Sequence, residues 1–124
     1  MRKSYLIEYL NTMERSPITG VFCYNNPMRI ISRKRLVEFW GAHPDAEQPL
    51  RAWYAETKKA NWRSPAEIKS IYRNASILAN NRVVFNIKGN DYRLVVMIDY
   101  RQGKLFIRFI GTHLEYDYIH AASI

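Results

Sequence analysis

In the stretch IGTHLEYDY, Ile110 to Tyr118, His113 and Tyr116 stand three residues apart. In a helical turn that spacing turns both side chains the same way. An imidazole and a phenol can take and give protons. Upstream, Lys88 and Arg93 place two cations in the strand-like runs RVVFNIK and DYRLVVMIDY. Together these are the parts that RNA cleavage by its own 2′-hydroxyl needs. A base deprotonates the 2′-OH, cations stabilise the phosphorane charge, and an acid protonates the leaving 5′-oxygen. His43 and His120 lack comparable company, and no spacing matches a zinc site, so no metal or other cofactor is expected. There is no glycine-rich phosphate loop.

Each of these residues also has a plainer reading. Lys88 and Asp91 can form a hairpin salt bridge of little energetic weight. Arg93 interrupts an otherwise apolar strand, where an unpaired charge is costly. It needs an anion, either a carboxylate such as Asp91 or a phosphate. Arg108 reads as structural and Tyr118 as a packing residue. Glu115 and Asp117 either orient their neighbours or contact a partner.

Three strands position the group: RVVFNIK, DYRLVVMIDY and KLFIRFI. Gly89-Asn90 suits a two-residue type II′ hairpin, and Gly103 the left-handed position of the next loop. Counting outward from the first turn pairs Lys88 with Asp91 and Asn86 with Arg93, all on one face. Counting the second hairpin from Tyr100 and Lys104 sets Gly111 beside Arg93 and His113 beside Asp91. Small Gly111 would then leave room for a phosphate. Lower on that face, Val84, Val95, Met97, Ile107 and Phe109 form an apolar floor.

Helices precede the strands. MRII can be a first short strand, and Ser32 can cap a helix from Arg33 that stops at Gly41 to Pro44. Asp45 can cap a second helix whose face is Leu50, Trp53, Tyr54 and Thr57. Ser64, Pro65 and Glu67 form a capping-box pattern for a third, with Ile68, Ile71 and Tyr72 inward. Ile77 and Leu78 tuck in from a polar connection. The expected fold is α+β: N-terminal helices packed on a small antiparallel sheet, with a three-stranded C-terminal meander. Residues 1–27 read as an appendage, with the main domain spanning 28–124.

The 124 residues suit one domain with a modest core. With 19 Lys and Arg against 11 Asp and Glu, the net charge is +8, which favours an anionic partner such as nucleic acid. Solubility alone is the plainer account of that charge. One cysteine, Cys23, allows no internal disulfide and points to a reducing cytoplasm. No apolar run is long enough for a membrane helix, so no membrane partner is expected.

The stretch NNRVVFNIKGNDYRLV together with FIGTHLEYD strongly resembles the HigB family of type II toxins, within the RelE/ParE-like superfamily. The helical half from Met28 is similar to the same family, and the resemblance runs to Ile124. It implies a RelE-like fold and an endoribonuclease that cuts messenger RNA on the translating ribosome without a metal. It also implies a HigA-type helix-turn-helix antitoxin as partner. RelE relatives place basic residues on the strands that hold Lys88 and Arg93 here. Where they use an arginine near the end of the last strand, this chain has Gly-Thr-His, so His113 is the nearest match. Asn86 falls where some relatives carry lysine, which favours a His113/Tyr116 relay. Asn86, Asn90, Lys58, Lys59 and Arg63 are expected to bind RNA. The alternatives are a ParE-like inhibitor of DNA gyrase and a non-catalytic RNA-binding module using the basic helices.

Overall fold

A computed structural model of the chain describes residues 28–124; the expectation for residues 1–27 lies outside the described residues. Strand β1 (Arg29–Ile31) leads into helix α1 (Arg33–Ala42). A single 3-10 turn (Pro44–Ala46) joins it to α2 (Glu47–Lys59), and α3 (Pro65–Ile71) follows. Then come β2 (Ser76–Ile77), β3 (Arg82–Ile87), β4 (Tyr92–Asp99), β5 (Lys104–Thr112) and the one-turn helix α4 (His113–Tyr116). The sheet order is β1-β5-β4-β3-β2. The expected meander β3-β4-β5 is present, and the fold is α+β. The sheet is mixed rather than wholly antiparallel, because β1 runs parallel to β5.

Alternation along the strands builds two unequal faces. One carries Val83, Phe85, Ile87, Leu94, Val96, Ile98, Leu105 and Ile107 against the helices, through Leu36, Leu50, Trp53 and Ile68. The other carries Val84 and Val95, with Phe109 beside them, and is covered by Tyr116, Ile119, Ala121 and Ile124 of the C-terminal tail. Arg82 and Arg108 both donate to the backbone oxygen of Ile124 and pin the tail. The structural reading of Arg108 therefore stands. Ile107 belongs to the helix face, not to the floor beneath Arg93.

That change traces to the β4–β5 register. Asp99 pairs with Lys104, so the connecting loop holds four residues rather than three. Val96 pairs with Ile107 but Val95 pairs with Phe109, which leaves Arg108 as an extra residue in β5. The longer loop and the bulge offset each other. Above the bulge, Arg93 pairs with Gly111 as the sequence count has it.

Several helix ends differ from expectation. Ser32 sits at the N-cap of α1 with φ 78 and makes no side-chain cap. Helix α1 continues through Gly41 to Ala42. Ser64 precedes Pro65 as expected, but its hydroxyl caps nothing, and Glu67 accepts from the Arg63 N–H instead of closing a capping box. Ile71 ends the seven-residue α3 and is 63% exposed. Ile77 lies in edge strand β2 and is also exposed. A complete capping box does form, at α4: Thr112 Oγ1 accepts from Glu115 N, and Glu115 accepts from Thr112 N at 2.8 Å.

Gly111 does not open a cavity. A Cβ there would lie 2.6 Å from the Phe109 ring and 2.7 Å from the Glu115 carboxylate. The glycine is required by close packing under the α4 cap. Gly111→Ala should therefore cost about 1–3 kcal/mol, read as a lowered midpoint in urea unfolding; an unchanged midpoint would show that Phe109 and Glu115 yield freely.

Candidate functional site

The candidate site lies at the end of the sheet where the β3–β4 hairpin meets α4. Two residues in succession, Lys88 (φ 53) and Gly89 (φ 65), take left-handed backbone conformations. The Asp91 N–H closes the turn on the Lys88 carbonyl at 3.2 Å. His113 N donates to the Asp91 carbonyl at 3.2 Å, so the hairpin tip holds the start of α4. This is the proximity that register counting assigns to Asp91 and His113.

Arg93 comes from the middle of the sheet, beside Asn86 on β3 and Gly111 on β5. Its guanidinium donates to the Asn90 carbonyl at 3.0 Å and lies 5.9 Å from the centre of the Tyr116 ring. Among the described residues no carboxylate comes within ion-pair distance of it. Of the two anions open to Arg93, Asp91 is thus not the one it meets, because Asp91 pairs with Lys88. His113 and Tyr116 share the single turn of α4, as their spacing predicts. The exposed His113 has Asp117 Oδ2 at 3.7 Å from Nδ1, near but beyond hydrogen-bond distance.

Lys88 sits differently from expectation. Its left-handed backbone breaks the alternation that would align it with Asn86 and Arg93. The ammonium lies 3.1 Å from Asp91 Oδ2 and 3.1 Å from Asp45 Oδ2. Asp45 does not cap a helix. It lies in the 3-10 turn, and its carboxylate also accepts from the Tyr92 hydroxyl at 2.6 Å. The Tyr92 ring is buried on the helix side against Phe39 and His43. His43 therefore stands near the site, stacked on Phe39 at 4.2 Å. Asp45 is the residue that sequence reasoning missed. Only the His43-Pro44-Asp45 context of a tight turn marks it locally, and its partner Lys88 lies 43 positions on.

Those bonds polarise the group. The Tyr92 hydroxyl, and then Lys88, hold the Asp45 carboxyl below its ordinary 3.8. The Asp45 and Asp91 carboxylates push Lys88 above its ordinary 10.5. The Asp45 hydrogen bond, with burial, raises Tyr92 above 10.0.

The other expected RNA contacts divide into two places. Asn90 is exposed at the hairpin tip, and Asn86 donates its amide to the Asn74 carbonyl at 3.2 Å, tying β3 to the loop after α3. Lys58, Lys59 and Arg63 are exposed at the opposite end of the sheet. There Met28 N bonds Ala60 O, and Arg29 N bonds Gly103 O, so the end of α2 lies beside the β4–β5 loop. Among the described residues no three His, Cys, Asp or Glu side chains gather to hold a metal ion, and no helix is long and apolar enough to cross a membrane.

The chain is thus a five-stranded mixed sheet with helices on one face and a cluster of charged and proton-handling side chains at its hairpin end. The HigB toxin family, described as the RelE-like toxic component of a toxin-antitoxin system, matches residues 46–119, and the chain belongs to that family. It is 28% identical over 96 residues to the mRNA interferase toxin HigB of Escherichia coli, covering 76% of this chain and 92% of the relative. The mRNA interferase HigB of Shigella flexneri matches to the same extent. That of another Escherichia coli strain is 26% identical over 92 residues, 73% of this chain and 89% of the relative. As the toxic component, the chain has an antitoxin as its counterpart.

A carboxyl held below its ordinary value stabilises the fold above that value and ceases to as pH falls through the lowered one. Asp45→Asn should therefore be less stable than the parent at neutral pH, and the gap should begin to narrow below about pH 4 and shrink further as pH falls through the lowered value. Paired urea titrations at pH 7 and pH 3 check this; a gap as wide in acid as at neutral pH would show that Asp45 acts through something other than its charge.

Proposed function

We propose that this chain is the toxin of a type II toxin-antitoxin system and an endoribonuclease that cleaves messenger RNA by metal-independent 2′-OH attack. The observation that carries the reading is Arg93: a guanidinium without a carboxylate partner among the described residues, over the Tyr116 ring, beside a helix turn that also presents His113. The names of the relatives support the same substrate.

In this scheme the scissile phosphate docks on Arg93. The 2′-oxygen attacks phosphorus while its proton passes to the base, and the P–O5′ bond breaks as the acid protonates the 5′-oxygen. The products are a 2′,3′-cyclic phosphate and a 5′-hydroxyl. His113 and Tyr116 divide the two proton transfers. Arg93 stabilises the charge gathering on the phosphorane oxygens. Lys88 joins from an ion-paired resting position, so a phosphate must displace Asp45 or Asp91 from its ammonium. Asn86 and Asn90 contact the strand on either side. The working site is the translating ribosome in the cytoplasm, and a HigA-type helix-turn-helix antitoxin restrains the toxin.

Arg93→Ala and His113→Ala should each slow cleavage by about 100-fold or more and relieve growth arrest on expression, with unfolding midpoints near the parent's. Primer extension on a messenger after induction reads the cut sites. Discrete new ends support a nuclease; intact messenger with DNA damage would point to a gyrase inhibitor. Full toxicity in both soluble variants would remove the site from the rim.

A further inference from the structure

The end of the sheet far from the rim holds a second basic feature that the scheme above does not use. Asn61, Arg63, Tyr100, Arg101, Gln102 and Gly103 line a cleft of about 340 Å³ between the segment after α2 and the β4–β5 loop. Arg63 and Arg101 are exposed, and among the described residues neither guanidinium meets a carboxylate within ion-pair distance. The nearby acids are engaged with backbone: Glu67 accepts from Arg63 N, and Asp99 from Gln102 N at 3.1 Å. Lys58 and Lys59 add positive charge in the last turn of α2, just before the segment that enters the cleft.

Two exposed guanidiniums that line one cleft and meet no carboxylate among the described residues form an electrostatic footprint for phosphates. We propose that this cleft is a second phosphate-binding subsite, which grips the backbone of the same RNA strand whose scissile phosphate lies at Arg93. This rests on the nuclease reading and adds to it a second contact and a minimum length. Strand β4 separates the two ends by about 25 Å at roughly 3.3 Å per residue. A stacked strand covers that span in about seven nucleotides at 3.4 Å per phosphate. A trinucleotide can therefore fill the rim alone, whereas a longer strand reaches both ends.

The test uses the full chain with single-stranded RNA carrying a 2′-deoxy sugar at the cleavage position, so that binding is read without turnover. Probes are a trinucleotide and a strand of about 20 nucleotides, titrated at several salt concentrations. In R63E/R101E the long strand should bind about tenfold or more weakly. Its salt slope should fall by about 1.4, for two lost phosphate contacts at 0.7 each. Trinucleotide affinity should be unchanged. The milder R63Q/R101Q should shift the long strand in the same direction with the parent's thermal midpoint. Unaltered long-strand binding in both variants would overturn the subsite, as would an equal loss on the trinucleotide. Failure of the nuclease reading shows separately, as absence of new messenger ends by primer extension when the parent protein is supplied with translating ribosomes.

Discussion

One extra residue in β5 decides which side chains meet. With Arg108 bulged out between the Val96–Ile107 and Val95–Phe109 pairs, the upper part of β5 is shifted by one against β4. Because side chains alternate, a shift of one exchanges the two faces. Below the bulge Ile107 packs under the helices; above it Phe109 turns to the other face, and Gly111 comes level with Arg93. The capping box at Thr112 then starts α4 against Asp91. Remove the bulge, and His113 and Tyr116 leave the arginine's side of the sheet.

The two faces divide the work. The helix side is a continuous apolar layer in which Phe85 packs against Trp53, Trp62 and Tyr72. The tail side is thinner, and its cover is the segment that carries the proton-handling residues. Tyr116 belongs to both groups, packed near Val84 and Val95 and lying under the Arg93 guanidinium. Packing of the tail and geometry of the site are thus one problem, and the clasp of Arg82 and Arg108 on Ile124 serves both.

The long strands were legible because β-branched and apolar residues alternate between clear glycine turns. Strand β1 carried too few residues to show a period, so its parallel pairing with β5 was invisible. The rim pairing of Arg93 with Gly111 came out right through two offsetting features, a longer loop and a bulge, neither of which leaves a composition signal. Ser32 and Ser64 hold the N-cap positions without making the cap bonds, since residue type does not fix where a hydroxyl points. Asp45 suits a helix cap in its local sequence, while its actual partners Lys88 and Tyr92 lie more than 40 positions on. Gly111 was read as space, when the Phe109 ring and Glu115 fill it.

The backbone at Lys88 has a consequence for how its role is measured. A left-handed conformation at a residue with a Cβ costs about 1–2 kcal/mol, and here two carboxylates hold the residue in it. Alanine at that position would keep the unfavourable backbone and lose both partners, so a loss of function could reflect a hairpin that has relaxed away from α4. Glycine would remove the ammonium while easing the turn. The contrast between those two replacements separates the lysine's charge from the shape its loop must keep.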